Sequence, residues 1–437
     1  MIGLVVSRAD DASVAIGEAL RSLVAWDFEL RTFDGWHLEL DGVADAFSEP
    51  PAFVAFLSRH AGETGPLLTA HFTGNFGPAE YGGEPGDLAR ACPNAQRAVV
   101  DAFRRHAPER YDVGVECTHH GPTDVGAPSL FVELGSSDSE WTDPEGARAV
   151  ARSVLELSGV RPAAAGSAAA PDPDRTRHVV GFGGGHYAPQ FERIIRGTDW
   201  RVGHVAADWG LSSMGAPGSN SGLVAAAFEQ SAATRGLVVG DNPDLATVID
   251  DLGYRVVGET WLRETTGVDL GLVAALEAEL VPIDDGLRLG TPAAAADAPD
   301  PDGFAVAPLP DELLAEASGI DREATADAVR GRVVAFETVE GGTKPRGRAA
   351  VTDPAAVDGI VDALAGILGR KYDTVSRADD RLVATRKTFD PAAAVDAGVP
   401  EGPAFGRLSD GDPVEADGRT VTPDEVYTEE TVSFRVA

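Results

Sequence analysis

Over the first 290 residues the apolar positions switch repeatedly between two spacings. Short dense runs such as "IGLVVS" (2–7), "PAFVAFLS" (51–58), "GPLLTAH" (65–71), "YDVGVECT" (111–118), "PSLFVELG" (128–135), "RHVVGF" (177–182), "WRVGHVA" (200–206) and "GLVVG" (236–240) read as strands. Between them, apolar residues three and four apart predict helices over 10–26, 92–108, 143–159, 188–197, 221–232 and 269–280. Acidic residues open the first helix, as expected at a helix amino end. Strand and helix taken in turn predict an α/β fold: a mostly parallel or mixed sheet flanked by helices.

Two Pro/Ala-rich stretches punctuate the pattern. Residues 161–176 are expected to form an exposed loop inside the domain, and 290–310 a linker. The expected organisation is therefore a catalytic domain over 1–290, a linker over 291–310 and a small α+β accessory domain over 311–437, with helices near 311–330 and 354–369 and a strand at "GRVVAFETV". No internal repeat is visible.

Charge changes the picture in one respect. With 70 acidic against 36 basic residues the net charge is −34, and only Lys344, Lys371 and Lys387 are lysines. Such acidity ordinarily repels nucleic acid. At about 1 M salt, however, the Debye length is only ~3 Å. The composition reads as adaptation to molar salt and leaves an anionic substrate open. No apolar run is long enough to cross a bilayer, and the first residues lack a signal-peptide pattern, so a soluble cytoplasmic protein is expected, without membrane contact and monomeric. Two cysteines, Cys92 and Cys117, make neither a disulfide framework nor a CxxC metal pair.

Candidate chemistry gathers at strand ends. His71 closes one run, in "HFTGNFG"; His119 and His120 close another, in "ECTHHGPT"; His186 follows a third, in "GFGGGHYAP". In parallel sheets, ligand sites form outside the carboxyl ends of the strands. His71, His119 and His186 are therefore expected in one pocket, with His120 either beside them or turned into the core. His37, His60, His106 and His178 read as structural, and so does His204. Glu116 and Glu133 sit within strand patterns and need partners if buried, which the histidines can supply. The glycines at 183–185 are either a tight turn or a backbone cradle for an anion; they match neither a P-loop nor a dinucleotide fingerprint. Asn75 is a candidate for orienting a carbonyl or a water, and "YGGEPGD" (81–87) for a flap. No serine stands in a GxSxG elbow. Cys117 as a nucleophile is a minor alternative to histidine chemistry. Histidines with glutamate suit either zinc or metal-free acid–base catalysis.

"HFTGNFG", "ECTHHGPT", "PSLFVELGSSDSEW" and "GFGGGHYAP", in this order, resemble the archaeal and plant type of D-aminoacyl-tRNA deacylase, over about residues 1–280. The resemblance implies a fold similar to nucleoside phosphorylases and peptidyl-tRNA hydrolases. It implies hydrolysis of the ester joining a D-amino acid to the tRNA 3′ end, with D-aminoacyl-tRNA as partner and two zinc ions per subunit. Carried onto this chain, it makes His71, Asn75, Glu116, His119, His120 and His186 the expected catalytic residues. Thr73, Gly74, Thr118, Glu133, Ser136, Gly183, Gly184 and Tyr187 are the expected substrate contacts, and His119, His120 and His186 the expected metal ligands. The chain departs from the pattern in lacking lysines in "GHVAADWG" and "VGETWLRET"; Arg193, Arg201 and Arg263 are the cations available there. Two other readings stand beside this one: a nucleoside phosphorylase or hydrolase, and a binding module without turnover.

Overall fold

The computed structural model describes residues 1–23, 27–163, 177–378 and 380–436. Most of the expected loop at 161–176, and the last three residues of the helix expected over 10–26, lie outside the described residues. The chain divides into two compact units, Met1–Thr266 and Gly267–Ala437.

The first unit holds two sheets. Strands β1 (Ile2–Ser7), β2 (Phe28–Phe33), β3 (Val54–Ala61), β4 (Leu67–His71), β5 (Asp112–Val113) and β6 (Ser129–Ser136) build a six-stranded sheet in the order β2-β1-β3-β6-β4-β5. All neighbours are parallel except β4 and β6. Strands β7 (His178–Phe182), β8 (Arg201–Ala206), β9 (Arg235–Val238) and β10 (Arg255–Val256) form an all-parallel second sheet in the order β10-β9-β7-β8. β1, β3, β4 and β7 read as continuous apolar runs because they are buried along nearly their whole length. Asp10 caps the helix Asp11–Arg21 by accepting from Ser13 N at 3.1 Å. The helices Pro93–His106 and Pro144–Leu155 bury Val99, Val100, Phe103, Val150 and Val154.

The run "YDVGVECT" differs from its expected form. Only Asp112–Val113 is strand; the rest is extended chain that leaves one sheet for the other. Gly114 N and Glu116 N donate to Leu68 O and Ala70 O on β4, and two residues later Thr118 N donates to Val205 O on β8. The continuous burial of Val115 to Thr118 mimics a strand covered on both faces, but the backbone partners change midway. This crossing segment ties the two sheets together and carries Glu116 to His120.

The second unit is α+β. An antiparallel four-stranded sheet contains Leu287–Leu289, Ala305–Pro308, Ala335–Val339 and Lys344–Val351. A three-stranded antiparallel sheet contains Thr374–Ala378, Arg381–Phe389 and Tyr427–Arg435. The helices Asp311–Ile320, Arg322–Arg330 and Ala355–Leu368 pack Leu313, Leu314, Val329, Ile360 and Leu364 around Phe336. The Pro/Ala-rich stretch before Asp311 supplies the strand Ala305–Pro308.

Candidate functional site

Side chains two apart on a strand share a face, and the register of the first sheet uses this. Phe56, Ser58 and His60 on β3 stand beside Phe131, Glu133 and Gly135 on β6, which in turn oppose His71, Thr69 and Leu67 on β4. One face therefore presents a lower row of phenylalanines, stacked at 4.9 Å between Phe56 and Phe131, and an upper row of polar groups. The His71 ring lies parallel to Phe131 at 5.2 Å. The crossing segment lays Glu116, His119 and His120 over this row, and the loop after β7 adds His186.

The result is one cluster. His186 Nε2 lies 2.7 Å from Glu116 Oε2, and His119 Nε2 lies 3.9 Å from the same oxygen. His60 Nδ1 is 3.3 Å from Glu116 Oε1 and 3.7 Å from Glu133 Oε2, and His71 Nε2 is 3.4 Å from Glu133 Oε1. The rings of His71, His119 and His120 sit 4.3–4.6 Å apart, and His186 is 4.5 Å from His119. A pocket of about 400 Å³ opens on these groups, rimmed by Trp36, Arg59 and Tyr81.

Tautomers follow from the backbone. His71 Nδ1 faces Phe72 O at 3.0 Å, His119 Nδ1 faces Cys117 O at 2.9 Å and His120 Nδ1 faces Gly121 O at 3.3 Å. A carbonyl only accepts, so each Nδ1 carries a proton, and in neutral His119 and His120 the Nε2 keeps a lone pair. Burial opposes a charge on His71, but Glu133, 3.4 Å from its Nε2, outweighs it, raises its pKa and favours a second proton there. Burial and the charge of His71 hold His119 neutral, its pKa lowered to about 3. Burial likewise pushes His120 well down. Burial alone would depress His186, but Cys117 and Glu116 outweigh it and raise its pKa to about 10. Burial opposes the charge on Glu116 too; the hydrogen bond from His186 and the proximity of His60 prevail and keep it well below the usual carboxylate range. Glu133 goes the other way, raised chiefly by burial.

These are the features of a cation site. His119 and His120 offer Nε2 lone pairs, and His71 would offer a third once a cation displaces its Nε2 proton; the other nitrogen of each is fixed by a carbonyl, as in metal-binding histidines generally. Three groups bring ligand atoms within 4.8 Å of one another: His71, His119 and His120; Cys117, His119 and His186; and His60, Glu116 and Glu133. His71 Nε2 and Glu116 Oε1 are buried without a hydrogen-bond partner. Buried polar atoms of this kind are costly unless something else satisfies them. The residues present fit a divalent metal.

Of the residues singled out in the sequence, His71, Glu116, His119, His120, Glu133 and His186 meet in this cluster. Tyr187 borders it, with Oη 3.4 Å from His60 Nε2. Others act nearby through the backbone. Asn75 spends both amide hydrogens on Gly82 O (2.9 Å) and Glu84 O (3.2 Å), organising the 81–87 loop. Gly74 N donates to His120 O at 2.7 Å, and Leu88 leaves no room for a Cβ on Gly74. Thr118 Oγ1 is 3.0 Å from His204 Nδ1 and accepts from Val205 N. Thr73 Oγ1 bonds Ser129 Oγ at 2.8 Å, and Ser136 Oγ bonds Gly65 O at 2.7 Å, both turned away from the cluster. Gly183 and Gly184 have φ of 97° and 85°. The Gly184 N–H is taken by Asp208 Oδ1 at 2.9 Å, so one of the chain's own carboxylates fills that part of the turn. Arg193 and Arg263 both pair with Glu259, and Arg201 donates to Asp199 O.

His60 was read from the sequence as structural, and the structure puts it in the cluster. The signal was available: β3 runs to Ala61, three residues past the apolar run, so His60 obeys the same strand-end placement as its partners.

Comparison with known proteins places the chain. Residues 47–256 match the family model of D-aminoacyl-tRNA deacylase, a span containing every side chain of the cluster. The D-aminoacyl-tRNA deacylase of Natronomonas pharaonis is 52% identical, covering 98% of this chain and 98% of its own length. That of Haloquadratum walsbyi is 49% identical, covering 100% of this chain and 96% of its own. The chain belongs to the D-aminoacyl-tRNA deacylase family. Part of this fold is also seen in a crystal structure titled as a conserved protein of unknown function, AF0625. It aligns with 61% of this chain and 98% of its own at a TM-score of 0.53 and 24% identity. The relatives extend over the second unit as well, so the α+β unit is a feature this deacylase family member shares with them.

Proposed function

We infer that the chain is a D-aminoacyl-tRNA deacylase, a hydrolase that cleaves the ester between a D-amino acid and the tRNA 3′ end. Family membership supports the reaction. The observation that carries the site is the cluster of His71, His119 and His120, each with its Nδ1 proton committed to a carbonyl and its Nε2 turned into the cluster.

Ester hydrolysis needs a proton acceptor for water, a donor for the developing oxyanion and a proton for the departing ribose oxygen. His119 Nε2 faces the pocket as a neutral base, and Glu116 stands 3.9 Å behind it. His186, kept protonated beside Glu116 and partly exposed, is placed to donate to the oxyanion and then to the leaving hydroxyl. His60 and His71 hold the two carboxylates in position. Zinc held by Nε2 of His71, His119 and His120 would supply Lewis-acid polarisation and a more acidic water; with the His119 lone pair on the metal, Glu116 would be the proton acceptor beside it. On this reading His71 stands in place of His186 in the ligand set expected from sequence, His119, His120 and His186, because His186 keeps its proton beside Glu116.

The acidic composition, with three lysines, supports work in a salt-rich cytoplasm. A phosphorylase reading is disfavoured because Asp208 occupies the glycine turn where phosphate would be cradled. The discriminating experiment supplies D-aminoacyl-tRNA or free nucleosides, with and without phosphate. Release of D-amino acid independent of phosphate, with nucleosides untouched, is expected. Phosphate-dependent nucleoside cleavage would contradict the reading.

A further inference from the structure

We propose that Arg59 is a phosphate-binding residue at the rim of the pocket, engaging the phosphodiester next to the terminal adenosine of the substrate. This rests on the deacylase reading and names a contact that reading does not supply.

Arg59 stands at the carboxyl end of β3, beside His60, and lines the pocket. Its guanidinium lies 4.5 Å from the Trp36 ring centre and 4.6 Å from that of Trp141. These rings come from segments far apart in sequence, and both are fixed in place. Trp36 follows β2, where Ser7 Oγ bonds Gly35 O at 2.8 Å, and the Trp141 indole donates to His60 O at 2.8 Å. The Arg59 backbone N–H is held by Asp10 at 2.9 Å. A cation placed over aromatic faces keeps its N–H edge free for an anion in its plane.

What is absent sharpens the point. In a chain with 70 acidic against 36 basic residues, Arg193, Arg263, Arg104 and Arg110 each pair with a carboxylate. Among the described residues no carboxylate lies within ion-pairing distance of the Arg59 guanidinium. The fold spends two tryptophans on holding an uncommitted cation beside the reacting groups. An aminoacyl ester has no free α-carboxylate, so the anion common to every substrate is phosphate. The planar fork of arginine suits two phosphate oxygens at once. The aromatic walls also lower the local dielectric, which lets the contact persist in molar salt.

The test uses the full chain in molar KCl, with wild type, Arg59→Ala and Arg59→Lys. Two substrates are compared: D-aminoacyl-tRNA and the phosphate-free 3′-O-D-aminoacyl-adenosine. Arg59→Ala is expected to lower kcat/KM on tRNA about 10- to 100-fold, through KM, as for loss of a charge-assisted hydrogen bond. Turnover of the phosphate-free ester is expected to stay within about twofold, which also shows that the variant is folded. Arg59→Lys is expected to retain part of the tRNA effect. Equal loss on both substrates, or no loss on tRNA, would overturn the proposal. Calorimetric titration of cytidylyl-adenosine and adenosine provides a readout apart from turnover. Wild type should bind the dinucleotide more tightly, and Arg59→Ala should erase that preference; no preference in wild type would also overturn the proposal. Failure of wild type to cleave either ester, with the dinucleotide preference intact, would instead strike at the deacylase reading.

Discussion

His204 offers a quantitative check on how the crossing segment is held. It is fully buried, with Nε2 2.8 Å from Ala89 O and Nδ1 3.0 Å from Thr118 Oγ1. The first contact places the proton on Nε2, so the Thr118 hydroxyl donates to Nδ1. A proton on Nδ1 would break that bond and bury a charge, and burial lowers the His204 pKa to about 4. An unfolded histidine titrates near ~6.5. The unfolded chain therefore binds the proton first as pH falls. This contribution is whole above about pH 6.5, declines below it and is lost by about pH 4. Over that window it amounts to about 3 kcal/mol, of which about 2 kcal/mol disappears between roughly pH 7.5 and pH 5.

His204→Gln keeps a donor for Ala89 O and an acceptor for Thr118 but does not titrate. Urea unfolding in molar KCl, followed by tryptophan fluorescence, isolates the effect, because all six tryptophans precede residue 267 and report on the first unit alone. His178, also buried and lowered to about 4, titrates in both proteins and cancels in the difference. The variant is expected to lose about 2 kcal/mol less than wild type between those two pH values. Identical pH dependence in the two proteins would refute the reasoning.

Three further outcomes are expected. Gly183→Ala should destabilise the first unit by about 1–3 kcal/mol in the same urea assay, since φ there is 97° and a Cβ would meet Val239 O at 2.6 Å. Cys92 and Cys117 are fully buried, so iodoacetamide should leave deacylation unchanged and label the protein only after denaturation. Zinc measured by atomic emission should co-purify with wild type and fall in His71→Ala and His120→Ala, with added chelator removing both metal and activity.

Much of the site was legible because period and placement are local properties. The apolar runs marked β1, β4, β6 and β7, and a histidine or glutamate at the end of a run is visible without knowing its neighbours. Less local facts were hidden. That the helices separate two sheets depends on which strands pair. The run from Tyr111 to Thr118 has strand-like burial, but its partners change from β4 to β8, and no single segment encodes that. His60 was missed because its strand outlasts its apolar run. The fate of Asn75, Thr73 and Ser136, whose polar atoms are taken by Gly82 and Glu84, Ser129, and Gly65, turns on contacts between loops distant in sequence.

The central claim is that the cluster around His119 hydrolyses the ester of a D-aminoacyl-tRNA. The most direct measurement is single-turnover deacylation of D-tyrosyl-tRNA and L-tyrosyl-tRNA in molar KCl by wild type and by His119→Ala. The account predicts release of D-tyrosine only, and a fall of about 100-fold or more in the variant, as for loss of a general base. Release of both enantiomers at equal rates, or D-specific release undiminished in His119→Ala, would contradict it.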